Sequence, residues 1–212
     1  MTTTFEKQDF ILANVRGSLM SIFRPYKNLA DPTSKPNYHV DLIMPRTHPQ
    51  FGEVQERIKA AAQKTWGAEW ETVLEQLRAQ DRLCIHKGEV GRPGKPEYAG
   101  NVFISANRGA EREPKPQIIV SENGVNRLIN DNPAHPFAPY SGCWVNAHID
   151  IWGMKAKPGQ PARICAGLLG VQFLRHDTRL GGTTPSSMDE FGVVATDADG
   201  AAPAAGGGDS LI

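Results

Sequence analysis

Two hydrophobic periods divide this chain. Over residues 10–24 apolar and polar side chains alternate imperfectly, with Ile11, Ala13, Val15, Leu19 and Phe23 on one side and Asn14, Arg16, Ser18 and Arg24 on the other. A period of two sends successive side chains to opposite faces, so the stretch predicts a long strand with one face buried. Tyr38, Val40, Leu42 and Met44 repeat the alternation until Pro45, which has no amide hydrogen to give a ladder, ends it. The period then changes. Val54, Ile58, Ala61, Ala62 and Thr65, followed by Trp66, Trp70, Val73, Leu74 and Leu77, recur at helical spacing across residues 50–80, with Gly67 dividing them into two helices. Both tryptophans fall on the apolar stripe and are expected as core anchors.

The second half returns to strands. Residues 102–108 and 116–121 predict two short ones, and residues 142–153 give the clearest alternation in the chain. There Cys143, Val145, Ala147, Ile149 and Ile151 form a small apolar face suited to a barrel interior, and Trp144, Asn146, His148, Asp150 and Trp152 form the other. A proline- and glycine-bearing hairpin loop at 154–161 leads to a returning strand at 162–174. Residues 24–36 read as a loop, and residues 87–100, with four glycines and two prolines, as a long mobile one. Many strands with one helical insert predict a mainly β fold, an OB-fold-like barrel, rather than a βαβ repeat. The barrel domain is expected over residues 1–182, and residues 183–212 have too few apolar groups to fold.

Charge sharpens this picture. The 212 residues carry 23 basic and 23 acidic side chains, so the chain is formally neutral. All 23 basic groups and 18 of the acids lie in residues 1–179, leaving that part five positive; the last 33 residues hold the other five acids and no base. A basic body with an acidic tail suits a protein that binds a polyanion. No run approaches the roughly 18 apolar residues of a membrane helix, and the N-terminus lacks a basic stretch followed by an apolar one, so a cytosolic setting is expected. Three widely spaced cysteines, Cys84, Cys143 and Cys165, fit neither a disulfide framework nor a zinc knuckle and are expected as buried or half-buried residues.

Candidate binding groups follow from the strand faces and loops. Trp144 and Trp152 stand on the polar face of their strand, where rings can stack on bases. Arg16, Arg24, Tyr26, Lys27 and Lys35 surround the first hairpin; Lys155, Lys157 and Arg163 surround the last; Phe103 and Arg108 lie on the strand between. In an OB barrel the first and last hairpins border the nucleic-acid channel, so phosphates are met from both sides. Tyr38 and Tyr98 add aromatic character nearby. Enzymatic signatures are lacking: the glycines around 88–95 are wrongly spaced for a phosphate loop, and neither a nucleophile elbow nor a dinucleotide fingerprint occurs. His148 with Asp150, and His39 with Asp41, are pairs without a third ligand, so no metal or other cofactor is expected.

Four segments in order carry a resemblance: Tyr38-His-Val-Asp-Leu-Ile-Met-Pro-Arg46, Tyr98-Ala-Gly-Asn-Val-Phe-Ile-Ser-Ala-Asn107, Tyr140-Ser-Gly-Cys-Trp-Val145, and Ala166-Gly-Leu-Leu-Gly-Val-Gln-Phe-Leu-Arg175 followed by Leu180-Gly-Gly182. Across about residues 10 to 190 the chain resembles a family of bacteriophage single-stranded DNA-binding proteins. The resemblance implies a non-enzymatic OB-fold protein that coats single-stranded DNA with little sequence preference during phage replication or recombination, with duplex DNA as a second candidate ligand. It also implies a C-terminal tail that engages replication or recombination proteins, here through Asp209, Leu211 and Ile212. Two departures stand out. The tail lacks a terminal aromatic, and the helical insert follows the second strand where a simple OB barrel has its helix after the third. The alternative is a virion structural or assembly protein that binds no nucleic acid.

Overall fold

A computed structural model describes residues 9–27 and 34–181. The tail beyond, with Asp209, Leu211 and Ile212, lies outside the described residues. The elements in order are β1 (Asp9–Tyr26), β2 (Asn37–Pro45), α1 (Phe51–Trp66), α2 (Trp70–Ala79), β3 (Ile85–Lys87), α3 (Gly88–Gly91), β4 (Asn101–Gly109), β5 (Gln117–Glu122), β6 (Val125–Leu128), β7 (Trp144–Met154) and β8 (Arg163–Arg175). A short 3₁₀ turn at Gly67–Glu69 joins α1 to α2, where Gly67 adopts φ +59°. Five strands close a barrel in the order β4-β2-β1-β7-β8, and a parallel contact between β4 and β8 completes the ring. That order and its one parallel pair define an OB-type barrel. The helical insert follows the second barrel strand, as the sequence indicates.

The interior is built as the alternation predicts along β2 and β7. Val40, Leu42 and Met44 are buried, and Cys143, Val145, Ala147, Ile149 and Ile151 are each at most 1% exposed. Val54, Ile58, Ala61 and Ala62 of α1 join the same core, so the amphipathic helix plugs the barrel with its apolar stripe. Its approach to β7 is close: a side-chain carbon at Gly153 would collide with Thr65.

β1 corrects the sequence reading. Its core face is Phe10, Leu12, Val15 and Ile22, whereas Ile11 and Leu19 are exposed. Two bulges cause the change, with Asn14 at φ 52° and Leu19 at φ 46°, and the pairings slip between Leu12 and Val15 and between Ser18 and Ser21. Each extra residue reverses which side chains face inward, and it bends the strand as a barrel wall requires. The first bulge is stitched by the start of the insert. Gln50 Oε1 accepts from the Ala13 amide at 2.8 Å, Gln50 Nε2 donates to the Ile11 carbonyl at 2.9 Å, and His48 Nε2 lies 3.0 Å from the Ala13 carbonyl oxygen.

Residues 87–100 are a second correction. They fold over the outer face of β2 rather than forming a mobile loop. Tyr98 is fully buried and its hydroxyl donates to Asp41 Oδ2 at 2.9 Å; Arg92 reaches the same oxygen from Nε and Nη2, each at 2.8 Å. His39 Nε2 lies 3.2 Å from Asp41 Oδ1, close enough for charge attraction but off the line of a hydrogen bond. Gly88 passes so near Tyr98 that a side-chain carbon there would strike its backbone. β3 and β6 are also additions to the sequence reading. β6 follows a two-residue turn in which Asn123 and Gly124 both have positive φ, 50° and 76°, the geometry of an Asn-Gly hairpin.

Burial pushes the Asp41 carboxyl upward, but His39, the Arg92 charge and the Tyr98 hydroxyl outweigh it and hold it below the ordinary carboxylate range. A group depressed in the folded state stabilises the fold above its unfolded pKa of about 3.9, and that stabilisation is lost as pH falls from there through the folded value. The Asp41→Asn variant should therefore be less stable at neutral pH and show a flatter acid limb in urea unfolding between about pH 4 and pH 2. An acid limb identical to wild type would mean that Asp41 does not anchor this segment.

Candidate nucleic-acid interface

The seam between β4 and β8 is short, with only Ala106 opposite Ala166 and Asn107 opposite Gly167. Beside that pair the two strands no longer hydrogen-bond to each other, and residues 82–84 enter the gap. The Ile164 amide donates to the Arg82 carbonyl and the Ser105 amide to the Cys84 carbonyl, each at 3.0 Å. Over this seam opens a cleft of about 730 Å³. Lys35, Arg82, Arg108, Arg112 and Arg163 line it, against the carboxylates of Asp81, Glu111 and Asp150. Two of these acids have cationic or titratable partners, Glu111 with Lys35 at 3.2 Å and Asp81 with His86 at 3.0 Å. Asp150 lies against Gly167, where a side chain would collide with its carboxylate. Trp152, paired in register with Cys165, supplies the aromatic surface. The result is a trough with positive walls, a ring and hydrogen-bonding side chains.

The structure thus brings together four of the sequence candidates, Lys35, Arg108, Trp152 and Arg163. Arg108 is oriented by donating from Nε to the Pro114 carbonyl at 2.6 Å. Lys155 and Lys157 are exposed on the β7–β8 hairpin, beside the lining residue Pro161. Arg24, Tyr26 and Lys27 are exposed at the end of β1; Tyr26, 56% accessible, lines a neighbouring hollow of about 570 Å³ that shares Asn37 with the cleft. Arg82 and His86 belong to the cleft but were missed from sequence, because only the threading of residues 82–84 into the seam places them there.

Other candidates are placed elsewhere. Phe103 is 1% exposed, packed edge-on against Tyr98 and stacked under His86, so it is a core ring and not a stacking platform. Tyr38 and Tyr98 are buried likewise. Trp144 shares a strand face with Trp152 but stands eight residues away, about 26 Å at the usual strand rise. Its indole donates to Asp177 Oδ2 at 2.8 Å, and the Arg175 guanidinium lies 4.3 Å from its ring centre. Arg16 is bound into the same corner, donating from Nε to the Gly142 carbonyl at 3.1 Å and from Nη2 to the Thr178 carbonyl at 3.0 Å. The Trp144 indole and the Thr178 amide together hold Asp177 below the usual carboxylate range. These contacts pin residues 176–181 across the end of the barrel. His148 meets Asp9 at 2.9 Å, and among the described residues no cluster of three or more metal-ligating side chains occurs.

Barrel topology and a cationic, aromatic cleft describe a nucleic-acid-binding OB protein as a class. Residues 8–201 match the model of the Enterobacter phage Enc34 ssDNA-binding protein family, and the chain belongs to that family. Among solved structures it is similar to the single-stranded DNA-binding protein from bacteriophage Enc34 in complex with ssDNA, at 25% identity and a TM-score of 0.67, covering 83% of this chain and 91% of that one. It shares its fold with gp2.5, a single-stranded DNA-binding protein encoded by bacteriophage T7, at 16% identity and a TM-score of 0.53 over 89% and 98% of the two chains. A putative protein p50 from Acyrthosiphon pisum secondary endosymbiont phage 1 is 26% identical over 186 residues, 85% of this chain and 90% of that protein.

The cysteines offer a direct probe of the cleft. Cys84 is buried, and burial lifts its thiol to about 12; Cys143 is also buried, whereas Cys165 is half-exposed in the cleft wall. Burial raises the Cys165 thiol too, which slows it without hiding it. In the native protein a maleimide should modify Cys165 well ahead of the other two, read by peptide mass after digestion. Equal labelling of all three would mean that the seam opens in solution.

Proposed function

We propose that this chain binds single-stranded DNA in the cleft over the β4–β8 seam and coats it, without catalysis and largely without sequence preference, during phage DNA replication or recombination. The observation that carries the reading is the convergence of Lys35, Arg108, Arg163 and Trp152 on one trough of a chain in a single-stranded DNA-binding family. Cations on the walls neutralise phosphates and release counterions, which gives affinity independent of base identity. Trp152 stacks on a base, because every base has a π-face. Asp150 repels a phosphate but accepts hydrogen bonds from base amino groups, so bases turn toward Trp152 and Asp150 and the backbone toward the rim.

Arg24, Tyr26 and Lys27 on one side and Lys155 and Lys157 on the other extend the contact beyond the trough. Arg16 and Trp144 contribute less, being engaged with residues 142 and 175–178. Residues 183–212 form a separate acidic tail whose Asp209, Leu211 and Ile212 engage replication or recombination proteins. The working location is the cytoplasm of a phage-infected host. Among the described residues no helix is long and apolar enough to cross a membrane.

Two measurements test this. Fluorescence anisotropy with a mixed-sequence oligonucleotide should show Trp152→Ala weaker by about 1–3 kcal/mol, the worth of one stacked base. Trp144→Ala should lose less, and Arg163→Ala should reduce the slope of log affinity against log salt by about 0.7, one phosphate contact on a single strand. Wild-type affinity in Trp152→Ala would move the DNA off this cleft. Deleting residues 183–212 removes five negative charges and should raise affinity at low salt, with the gain fading as salt screens it. Equal affinities at low salt would leave the tail to partner binding alone.

A further inference from the structure

A second groove lies on the other side of β3. It occupies about 470 Å³ between α1, α2 and β3, with Phe51, Ile58, Leu74 and Val102 among its apolar walls. Four exposed cations line it: Arg46, Lys59, Arg78 and Lys87. Asp81 is its one lining acid and is occupied by His86 at 3.0 Å. Lys59 is held by Glu56 at 2.6 Å, and Glu89 is near enough to Arg46 and Lys87 to interact with both, so Arg46, Arg78 and Lys87 still outnumber the acid beside them.

The two depressions are neighbours. Asp81, Leu83 and His86 line both, so the chain from residue 81 into β3 is a wall common to the cleft and the groove. The His86 ring in this wall is stacked on Phe103 at 5.1 Å between centres. An apolar floor with cations along the rim is the surface that a single strand needs: walls that accept bases and charges that meet the backbone. Charge complementarity and the wall shared with the cleft both select DNA over an uncharged partner.

We propose that the bound single strand does not end at the barrel but crosses the His86–Asp81 wall into the α1–α2 groove, where Arg46, Arg78 and Lys87 take further phosphates. This rests on the reading of the cleft as the DNA site. It gives the helical insert a role in binding and makes the footprint longer than the barrel alone supplies. The insert holds the strand on one side of β3 as the hairpins hold it on the other.

The test compares two oligonucleotides on the full chain, one of about 5 nucleotides, near the lower limit for one OB fold, and one of about 15. In the double variant Arg78→Ser/Lys87→Ser, affinity for the longer strand should fall roughly tenfold and its salt slope by about 1.4, two phosphate contacts. Affinity for the short strand, which fills the barrel cleft, should stay as in wild type, and so should the melting curve, because both side chains are exposed. Unchanged binding of both strands overturns the extended path and leaves the groove to another ligand. Equal weakening of both overturns it too, since the variants would then act through the general field. If wild type binds neither strand, the DNA reading itself fails. Selective loss of binding by Trp152→Ala to both lengths marks the cleft independently of the groove.

Discussion

Barrel closure is the constraint on which the rest depends. Five strands form an open sheet unless β4 meets β8, and they meet through only two residue pairs. A seam so short leaves backbone groups on both strands without partners from each other. Residues 82–84 supply some of them, bonding to β4 on one side and β8 on the other. The same splaying opens the cleft and puts Arg82 in its wall. One feature therefore closes the ring and opens the cleft. It also ties the surface to the insert, since residues 82–84 follow directly from α2.

The outer face of β2 shows a second dependence. Asp41 is buried with no exposed surface, and it persists there because Arg92 and Tyr98 converge on one of its oxygens. Removing one partner of such a group costs several kcal/mol, more than an ordinary surface contact supplies. This polar knot fastens residues 88–98 over β2 and buries Phe103 beneath them. Phe103 in turn carries His86, which lines both depressions. Core packing and the shape of the two depressions are thus parts of one arrangement.

Much of the fold is legible in the sequence, for reasons that can be located. β7 keeps a strict alternation, β2 an alternation broken only by Ile43, and α1 and α2 a helical stripe broken at Gly67, so their positions and inward faces follow from period. β1 is legible as a strand but not as a surface. Its bulges at Asn14 and Leu19 are stabilised by partners distant in sequence, Gln50 and His48 among them, and nothing local marks them. β6 had a local signal, Asn123-Gly124, that the alternation did not support. Of the candidate residues, Lys35, Arg108, Trp152 and Arg163 meet in one cleft as their loops and strand faces suggest, while Phe103 does not. Its alternation is that of a strand with one wet face, but residues 88–98 cover that face from outside the strand.

The pairing of β1 with β7 has a consequence for how the molecule comes into being. Phe10 lies opposite Ile149 and Leu12 opposite Ala147, so the first strand made finds this neighbour only after more than 130 further residues have been added. Until then β1 has β2 on one side and an open ladder on the other. Contacts of such sequence separation are slow to form because a long loop must be closed first. On the ribosome, β1, β2 and the helices emerge as an incomplete half-shell, with the edge of β1 that will meet β7 still unpaired. The barrel can close only when β8, the strand that borders β7, β4 and β5, has left the exit tunnel. The nascent half-shell is thus the vulnerable species in the life of this protein, and its exposure lasts as long as the translation of the second half.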